Sequence, residues 1–294
     1  MSKAKIGFIF SMLIAGSIGL FVRNIPLSSA QIALVRGVAG CIFIFAFAFL
    51  SRQGISFARI RKNLPVLLLS GIALGFNWML LFQAYRYTTI ATATICYYFA
   101  PVLTLFLSPL ILKERLDRVK VCCIFAAMAG MVCVAGVGGV GSGNFIGILY
   151  GLGAAVVYAS IVLLNKRLRD ISGVESAFVQ LLVSAVTMFP YVLLTDGIHF
   201  AKISKTALLL LAVVGVIHTG VMYLLYFSCL QKLTSQTVAV FSYIDPVSAI
   251  VFAAVFLNEG MSLLQIVGGV LVLGAALMNE IYSTWNGKKD VSAG

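Results

Sequence analysis

The chain has 294 residues, of which 61% are hydrophobic and only 10% are charged. Its mean hydropathy of +1.07 is far above that of water-soluble domains, so the composition excludes a soluble globular protein and indicates an integral membrane protein. The formal net charge of +12 indicates membrane topology and not a nucleic-acid surface, because the basic residues are sorted by membrane side.

In chain order, apolar segments of about twenty residues, the length that a helix needs to cross the hydrocarbon core, alternate with short loops. Each segment is too long and too uniformly apolar for a barrel strand. The first segment exceeds a usual signal-peptide core, which disfavours cleavage near Ser29-Ala30. The sequence therefore predicts an all-α membrane protein with ten transmembrane helices, at about residues 4–22, 29–50, 64–85, 89–112, 119–137, 145–165, 174–194, 206–228, 234–257 and 261–283.

The lysines and arginines follow the loops that these ten segments create. Sixteen of the 21 lie at the termini or in alternate loops, four lie in the remaining loops, and Arg36 lies within a segment. Positive charge accumulates on the cytoplasmic side of a membrane protein. We therefore expect a multi-pass protein of the cytoplasmic membrane with both termini cytoplasmic and the 137–144 loop outside.

The second half of the chain repeats the first. The segment at 97–115 matches the one at 242–260, so that Tyr98 pairs with Tyr243 and Glu114 with Glu259. Because each copy contains five helices, an odd number, the second copy enters the membrane from the opposite face. The predicted units are residues 1–140 and 141–294, two inverted five-helix repeats of the kind that secondary transporters use.

The duplicated five-helix unit, the sequence LVRGVAG at 34–40 and a tyrosine-rich fourth helix ending in P-x12-E resemble the EamA-type drug/metabolite transporter family. The resemblance covers essentially the whole chain. It implies ten helices, transport of small metabolites, often amino acids, and a central cavity that both halves line. The second copy has Gln180 in place of Arg36 and Asp245 in place of Ala100, so the resemblance does not identify a substrate.

Asp245 is a lone carboxylate inside an apolar segment. At mid-membrane it costs about 2.5 to 3.5 kcal/mol on insertion scales, so it should face protein or water. It shares a helix face with Ser242 and Ser248. Two interpretations follow: a hydrogen-bonded structural carboxyl, or a proton carrier or cation ligand in the cavity.

Arg36 and His218 also lie inside predicted helices. Arg36 could cap carbonyls or pair with Asp245, or it could bind a substrate carboxylate. His218 could relay protons together with Asp245, or it could be a hydrogen-bonded core histidine.

Aromatic residues are concentrated on helices that the repeat makes equivalent, too deep for an interfacial belt. Some belong to the core, and the others could form flat walls for an aromatic or ammonium-bearing solute. The predicted substrate-binding residues are Arg36, Asn77, Trp78, Tyr97, Tyr98, Tyr158, Tyr223, Tyr243 and Asp245.

These features favour a secondary transporter that works by alternating access and exports small metabolites such as amino acids, with proton coupling as one option. An importer or exchanger of an organic cation is the alternative. A membrane enzyme acting on a lipid-linked substrate would need a catalytic cluster, which the two separated histidines do not supply. We predict no enzyme activity, metal or cofactor. The expected partners are a small-molecule substrate and the lipid bilayer, with no nucleic acid, and the protein is expected to be a monomer or homodimer.

Overall fold

The computed structural model describes residues 3–51, 55–100, 102–104, 118–137, 142–165, 167–197, 204–230, 233 and 241–292. Throughout this described part the regular secondary structure is helical, with a helix at each of the ten predicted positions. These are α1 Lys3–Arg23, α2 Ser29–Leu50, α3 Phe57–Tyr87, α4 Ile90–Tyr97, α5 Arg118–Val137, α6 Ser142–Asn165, α7 Gly173–Thr195, α8 Lys205–Leu230, α9 Ile244–Leu257 and α10 Leu263–Ser292.

The fold class predicted from the sequence is confirmed, and several helix bounds differ. Six helices in the described residues are long and apolar enough to span a membrane, and shorter apolar helices accompany them. The start of α3 and the end of α10 extend beyond the apolar segments, because a helix can continue into water after its hydrophobic run ends. The predicted stretches 105–112 and 234–240, together with Glu114, lie outside the described residues.

Helix packing follows the two-fold repeat. α3 packs on α6 as α8 packs on α1, and α1 packs on α9 as α4 packs on α6. Similarly, α3 contacts α7 as α2 contacts α8, while α2 with α7, α4 with α9, and α5 with α10 are pairs of equivalent helices. Exchanging the first five helices for the second five leaves this pattern unchanged, as a pseudo-two-fold arrangement requires.

The helix starts repeat as well. A capping box of Ser28 and Gln31 opens α2, and one of Ser172 and Glu175 opens α7, 144 residues later. The third helical residue of each box also bonds a loop backbone. Gln31 Nε2 donates to the carbonyl of Gly197, before α8, and Glu175 Oε1 accepts from the N–H of Ser56, before α3. The same capping interactions therefore fix the starts of α2 and α7, which the repeat predicts to lie at opposite membrane faces.

One helix breaks the symmetry. α8 is α-helical at Lys205–Ala212 and Met222–Leu230 but π-helical at Val213–Val221. Gly71 and Gly75 are four residues apart and face α7, whereas Gly215 and Gly220 are five apart and face α2. At each of these glycines an added Cβ would lie 3.0 Å or less from the facing helix. The π-helical turn accommodates the extra residue, so that both glycines of the second copy still face their partner.

Candidate functional site

The fourth and ninth helices are both interrupted at equivalent tyrosines. α4 ends at Tyr97 with Tyr98 as its C-cap, and Tyr243 precedes the first residue of α9. Each of these tyrosines is followed three residues later by a proline, which lacks the N–H that would continue the helical hydrogen bonds. Within the spans predicted at 89–112 and 234–257, the structure therefore has a local turn at these two points. Interrupted helices of this kind carry the binding sites of several transporter folds.

Asp245 lies in the first turn of α9, half-buried. Tyr98 Oη donates a hydrogen bond to Asp245 Oδ2 at 2.5 Å, which joins the two repeats. Ser248, on the same helix face, donates through Oγ to the backbone carbonyl of Asp245 and not to its carboxylate. The carboxylate therefore has a partner that sequence spacing did not indicate, because that partner belongs to the other half of the chain.

Arg36 is buried in α2 and binds across the repeat interface to α8. Its Nε donates to Thr219 Oγ1 at 2.8 Å, and Thr219 Oγ1 in turn donates to Val214 O at 3.1 Å. The guanidinium carbon lies 4.2 Å from the centroid of the Trp78 ring, in cation–π geometry. Among the described residues no carboxylate lies within 4.0 Å of the guanidinium. A hydrogen bond thus holds Nε, and the rings of Trp78 and, at 5.8 Å, Phe82 lie against the guanidinium.

Several predicted residues meet through ring contacts and hydrogen bonds. The ring centroid of Tyr97 lies 5.7 Å from that of Tyr98 and 5.2 Å from that of Tyr158. Tyr97 Oη donates to Asn77 Oδ1 at 3.4 Å, and Asn77 Nδ2 donates to Ala154 O at 2.8 Å. Helices α3, α4 and α6 are therefore connected at one place by polar and aromatic groups.

The charged groups belong to the same region. Tyr97 and Tyr223 pack against the apolar group that contains Trp78, whose ring lies under the Arg36 guanidinium, and no ion pair joins Arg36 to Asp245. Asp245 accepts the hydrogen bond of Tyr98, and the rings of Tyr98 and Tyr158 both contact Tyr97. We call this set the central cluster: Arg36, Asn77, Trp78, Tyr97, Tyr98, Tyr158, Tyr223 and Asp245.

Two further predicted residues have the following contacts. Tyr243 packs against an apolar group formed by Val102 and residues of α5 and α10. His218 is 2% exposed, with Nε2 2.9 Å from Ser17 Oγ and Nδ1 3.4 Å from Val213 O. Its ring lies 4.8 Å from that of Phe21. Both imidazole nitrogens of His218 therefore have partners between α1 and the π-helical turn, which favours a hydrogen-bonded core histidine.

Glu259, which follows α9, forms a further junction that sequence reasoning did not identify. Its Oε1 accepts a hydrogen bond and ion pair from Arg23 Nη1, and its Oε2 accepts from Ile90 N at 2.8 Å. The Glu259 side chain is 8% exposed. A carboxylate at the start of α4 also opposes the positive end of that helix. We call this junction the Glu259 bridge; it joins the ends of α1 and α9 to the start of α4.

Comparison with known proteins agrees with this architecture. The sequence profile of the EamA-like transporter family matches residues 2–136 and 145–280, one match for each half. The uncharacterized transporter YxxF of Bacillus subtilis is 29% identical over 99% of this chain and 93% of its own length. An uncharacterized transporter of Clostridium kluyveri is 23% identical over 94% of this chain and 93% of its own length. A protein of known crystal structure shares the fold, with a TM-score of 0.66 at 18% identity, over 94% of this chain and 98% of that one. The chain therefore belongs to the EamA-like transporter family and is a multi-pass membrane transporter.

Proposed function

We propose that this transporter exports a small zwitterionic metabolite of the amino-acid type across the cytoplasmic membrane, in exchange for protons, by alternating access. One observation carries the proposal: Arg36 and Asp245 have opposite charges, come from different repeats and border the same group of aromatic side chains without forming an ion pair. A zwitterion supplies the two charges that would satisfy both groups at once.

The contacts of Arg36 leave room for this role. Thr219 holds Nε and Trp78 covers one face, so the guanidinium is oriented before a solute arrives. The terminal nitrogens can then donate two parallel hydrogen bonds to a carboxylate. Preorganisation of this kind reduces the entropy lost on binding.

The opposite end of the solute would meet Asp245. An ammonium group can pair with this carboxylate while the rings of Tyr97 and Tyr98 offer cation–π contacts. Trp78 and Tyr97 supply flat apolar surface against which a hydrophobic or aromatic side chain would stack.

Proton exchange follows from competition for the same carboxylate. Tyr98 donates to Oδ2, so Oδ1 is the oxygen that would take a proton when no solute is bound. Binding of an ammonium requires the ionised carboxylate, and the proton then leaves to the side that is open. One proton would enter for each solute that leaves.

Alternating access requires the two repeats to move against one another. The Glu259 bridge links α1, α4 and α9 at one end of these helices, which the distribution of basic residues predicts to be the outer face. Outward opening would break this bridge, and the interruptions at Tyr98 and Tyr243 would allow the halves of helices 4 and 9 to bend.

His218 stays a prediction as a second proton-coupling residue. It is adjacent in sequence to Thr219, which binds Arg36, so its protonation would act on the position of Arg36 and not on the solute directly. Replacing His218 with Gln keeps hydrogen-bonding capacity and removes titration. An unchanged pH profile of transport would exclude the coupling role.

An organic cation, such as a choline-like amine, is the second candidate for the solute. The tyrosine rings beside Asp245 favour it, because they resemble the aromatic surroundings that bind ammonium groups elsewhere. Such a solute would need no contact with Arg36, which distinguishes the two proposals.

Counterflow in reconstituted vesicles tests the proposal. Purified protein is first screened by thermal shift against amino acids, their decarboxylated amines and choline, because a ligand that binds the folded state raises its apparent stability. The best ligand is then used as labelled solute. Preference for the zwitterion over its amine supports the proposal, and equal transport of the amine or of choline supports the cation alternative.

A further inference from the structure

An apolar groove lies between α5 and α10, two helices to which no residue of the central cluster belongs. Its volume is about 480 Å³, within the roughly 300 to 1,000 Å³ of small-molecule sites. Ten residues line it, and the one charged residue among them is Arg118 at the start of α5. The uncharged ones include Val119, Cys122, Ala126, Leu271, Gly274 and Met278.

The groove arises because two antiparallel helices touch at one level and diverge at another. At Gly130 an added Cβ would lie 2.7 Å from Gly268 O, so the backbones are in contact there. At Gly274, about two turns further along α10, an added Cβ would have no atom within 4 Å. The space between the helices therefore widens toward the end where Arg118 lies.

The surroundings of this groove are hydrocarbon. Val270 and Met278, which line it, are 67% and 60% exposed, and Phe125 beside it on α5 is 67% exposed. In a membrane protein such surfaces face lipid tails, so an acyl chain fits the groove without desolvating polar groups. Arg118 is exposed and forms no ion pair with the described residues, so its charge is available at the mouth.

We infer that this groove is a binding site for one anionic phospholipid, with an acyl chain between α5 and α10 and the headgroup phosphate at Arg118. Arg118 belongs to the set of basic residues that the topology places at the cytoplasmic face, where anionic lipids attract basic groups. An arginine can also bind a phosphate through two parallel hydrogen bonds.

The floor of the groove connects it to the helices of the transport site. Cys123 and Ala275 line the groove. Both belong to an apolar group that also contains Val102, and Tyr243 packs against this group. A bound acyl chain would thus support the region where α9 begins. This lipid site does not depend on the identity of the transported solute.

Native mass spectrometry of delipidated protein, titrated with phosphatidylglycerol or with phosphatidylcholine of the same chains, tests the inference. One basic residue near a membrane surface contributes enough attraction for about a fivefold preference for the anionic lipid. We expect Arg118→Gln to remove this preference and Gly274→Leu to remove binding of both lipids, because the leucine fills the open space. Matched controls are Arg167→Gln, an exposed basic residue predicted at the same face, and Val267→Leu on the lipid-facing side of α10.

A second measurement locates the lipid. Cys122 is exposed and lines the groove, so phosphatidylglycerol should slow its reaction with a lipophilic maleimide, and less so in Arg118→Gln. The inference is overturned if Gly274→Leu binds phosphatidylglycerol like the wild type, or if Arg118→Gln and Arg167→Gln weaken binding equally. It is also overturned if the spectra show a dimer that Gly274→Leu dissociates, since a second copy would then occupy the groove.

Discussion

The proposed zwitterion site predicts a specific coupling between two protein variants and two solute analogues. Asp245→Asn removes the negative charge but keeps an oxygen that can accept the hydrogen bond from Tyr98. Arg36→Gln removes the positive charge and keeps a donor for Thr219. Both variants should therefore fold. Each should lose its contact with one charged group of the solute and keep the contact with the other.

The expected magnitude follows from the contacts that each variant loses. A hydrogen bond to a charged group contributes about 1.5 to 3 kcal/mol, which corresponds to about a 12-fold to 150-fold change in Kd. Asp245→Asn should weaken binding of the amino acid by this factor and leave binding of its deaminated acid almost unchanged. Arg36→Gln should weaken the amino acid equally and leave its decarboxylated amine almost unchanged.

The assay is isothermal titration calorimetry of purified protein in detergent with the three ligands. For each variant, four affinities form a cycle: wild type and variant, each with the amino acid and with the analogue that lacks the matching charge. The loss of affinity from changing the protein and the loss from changing the ligand should not add. Asp170→Asn is the matched control, because Asp170 is exposed in a loop and paired with Lys62. Additive losses would show that Arg36 and Asp245 do not contact the solute. An unaltered pH profile of transport in Asp245→Asn would likewise leave the carboxylate a structural group.

The remaining predictions concern topology, gating, packing and a surface pair. A cysteine placed at Ser142 should react with an impermeant reagent from outside and one at Lys289 should not; the reverse pattern would invert the proposed orientation. Glu259→Gln removes the charge that binds Arg23 and should increase outside labelling of a cysteine placed at Asn77, whereas equal labelling would argue against a gate. Gly220→Ala places a Cβ 2.5 Å from the Phe43 ring and should destabilise the protein by about 1 to 3 kcal/mol in thermal unfolding, whereas Gly274→Ala has open space and should not. The hydrogen bond from Lys62, followed by the charge of Lys62, holds the pKa of Asp170 below its usual range. The pair therefore stabilises the fold at neutral pH, and this stabilisation is lost as the pH falls through the lowered pKa. Asp170→Asn should remove this small pH dependence of stability without affecting transport.

The fold was predictable from the sequence because its signals are local. A run of about twenty apolar residues must be a helix in lipid, since each backbone group has to be satisfied within the segment. Five such segments per copy, an odd number, with basic residues concentrated in alternate loops, also predict that the copies are inverted. The repeat alignment further indicated which helices would pack in equivalent ways.

The candidate site was predictable only in part. Arg36, Tyr97, Tyr98 and Asp245 could be chosen because polar groups are expensive in an apolar segment. The residues that contact them could not be predicted from the sequence. The five-residue spacing of the glycines in α8 was the available signal for an extra residue there, and the match of Glu259 to Glu114 was the signal for a special role at the helix end.

The sequence by itself thus determined the ten helices, their alternation across the membrane and the set of buried polar residues. Only the tertiary structure decided that Tyr98 meets Asp245, that Thr219 meets Arg36, and that Glu259 joins three helix ends. The physical reason is rotational. Each residue turns an α-helix by about 100°, so one inserted residue in a π-helical turn or one interruption at a proline changes which side chains face the neighbouring helix.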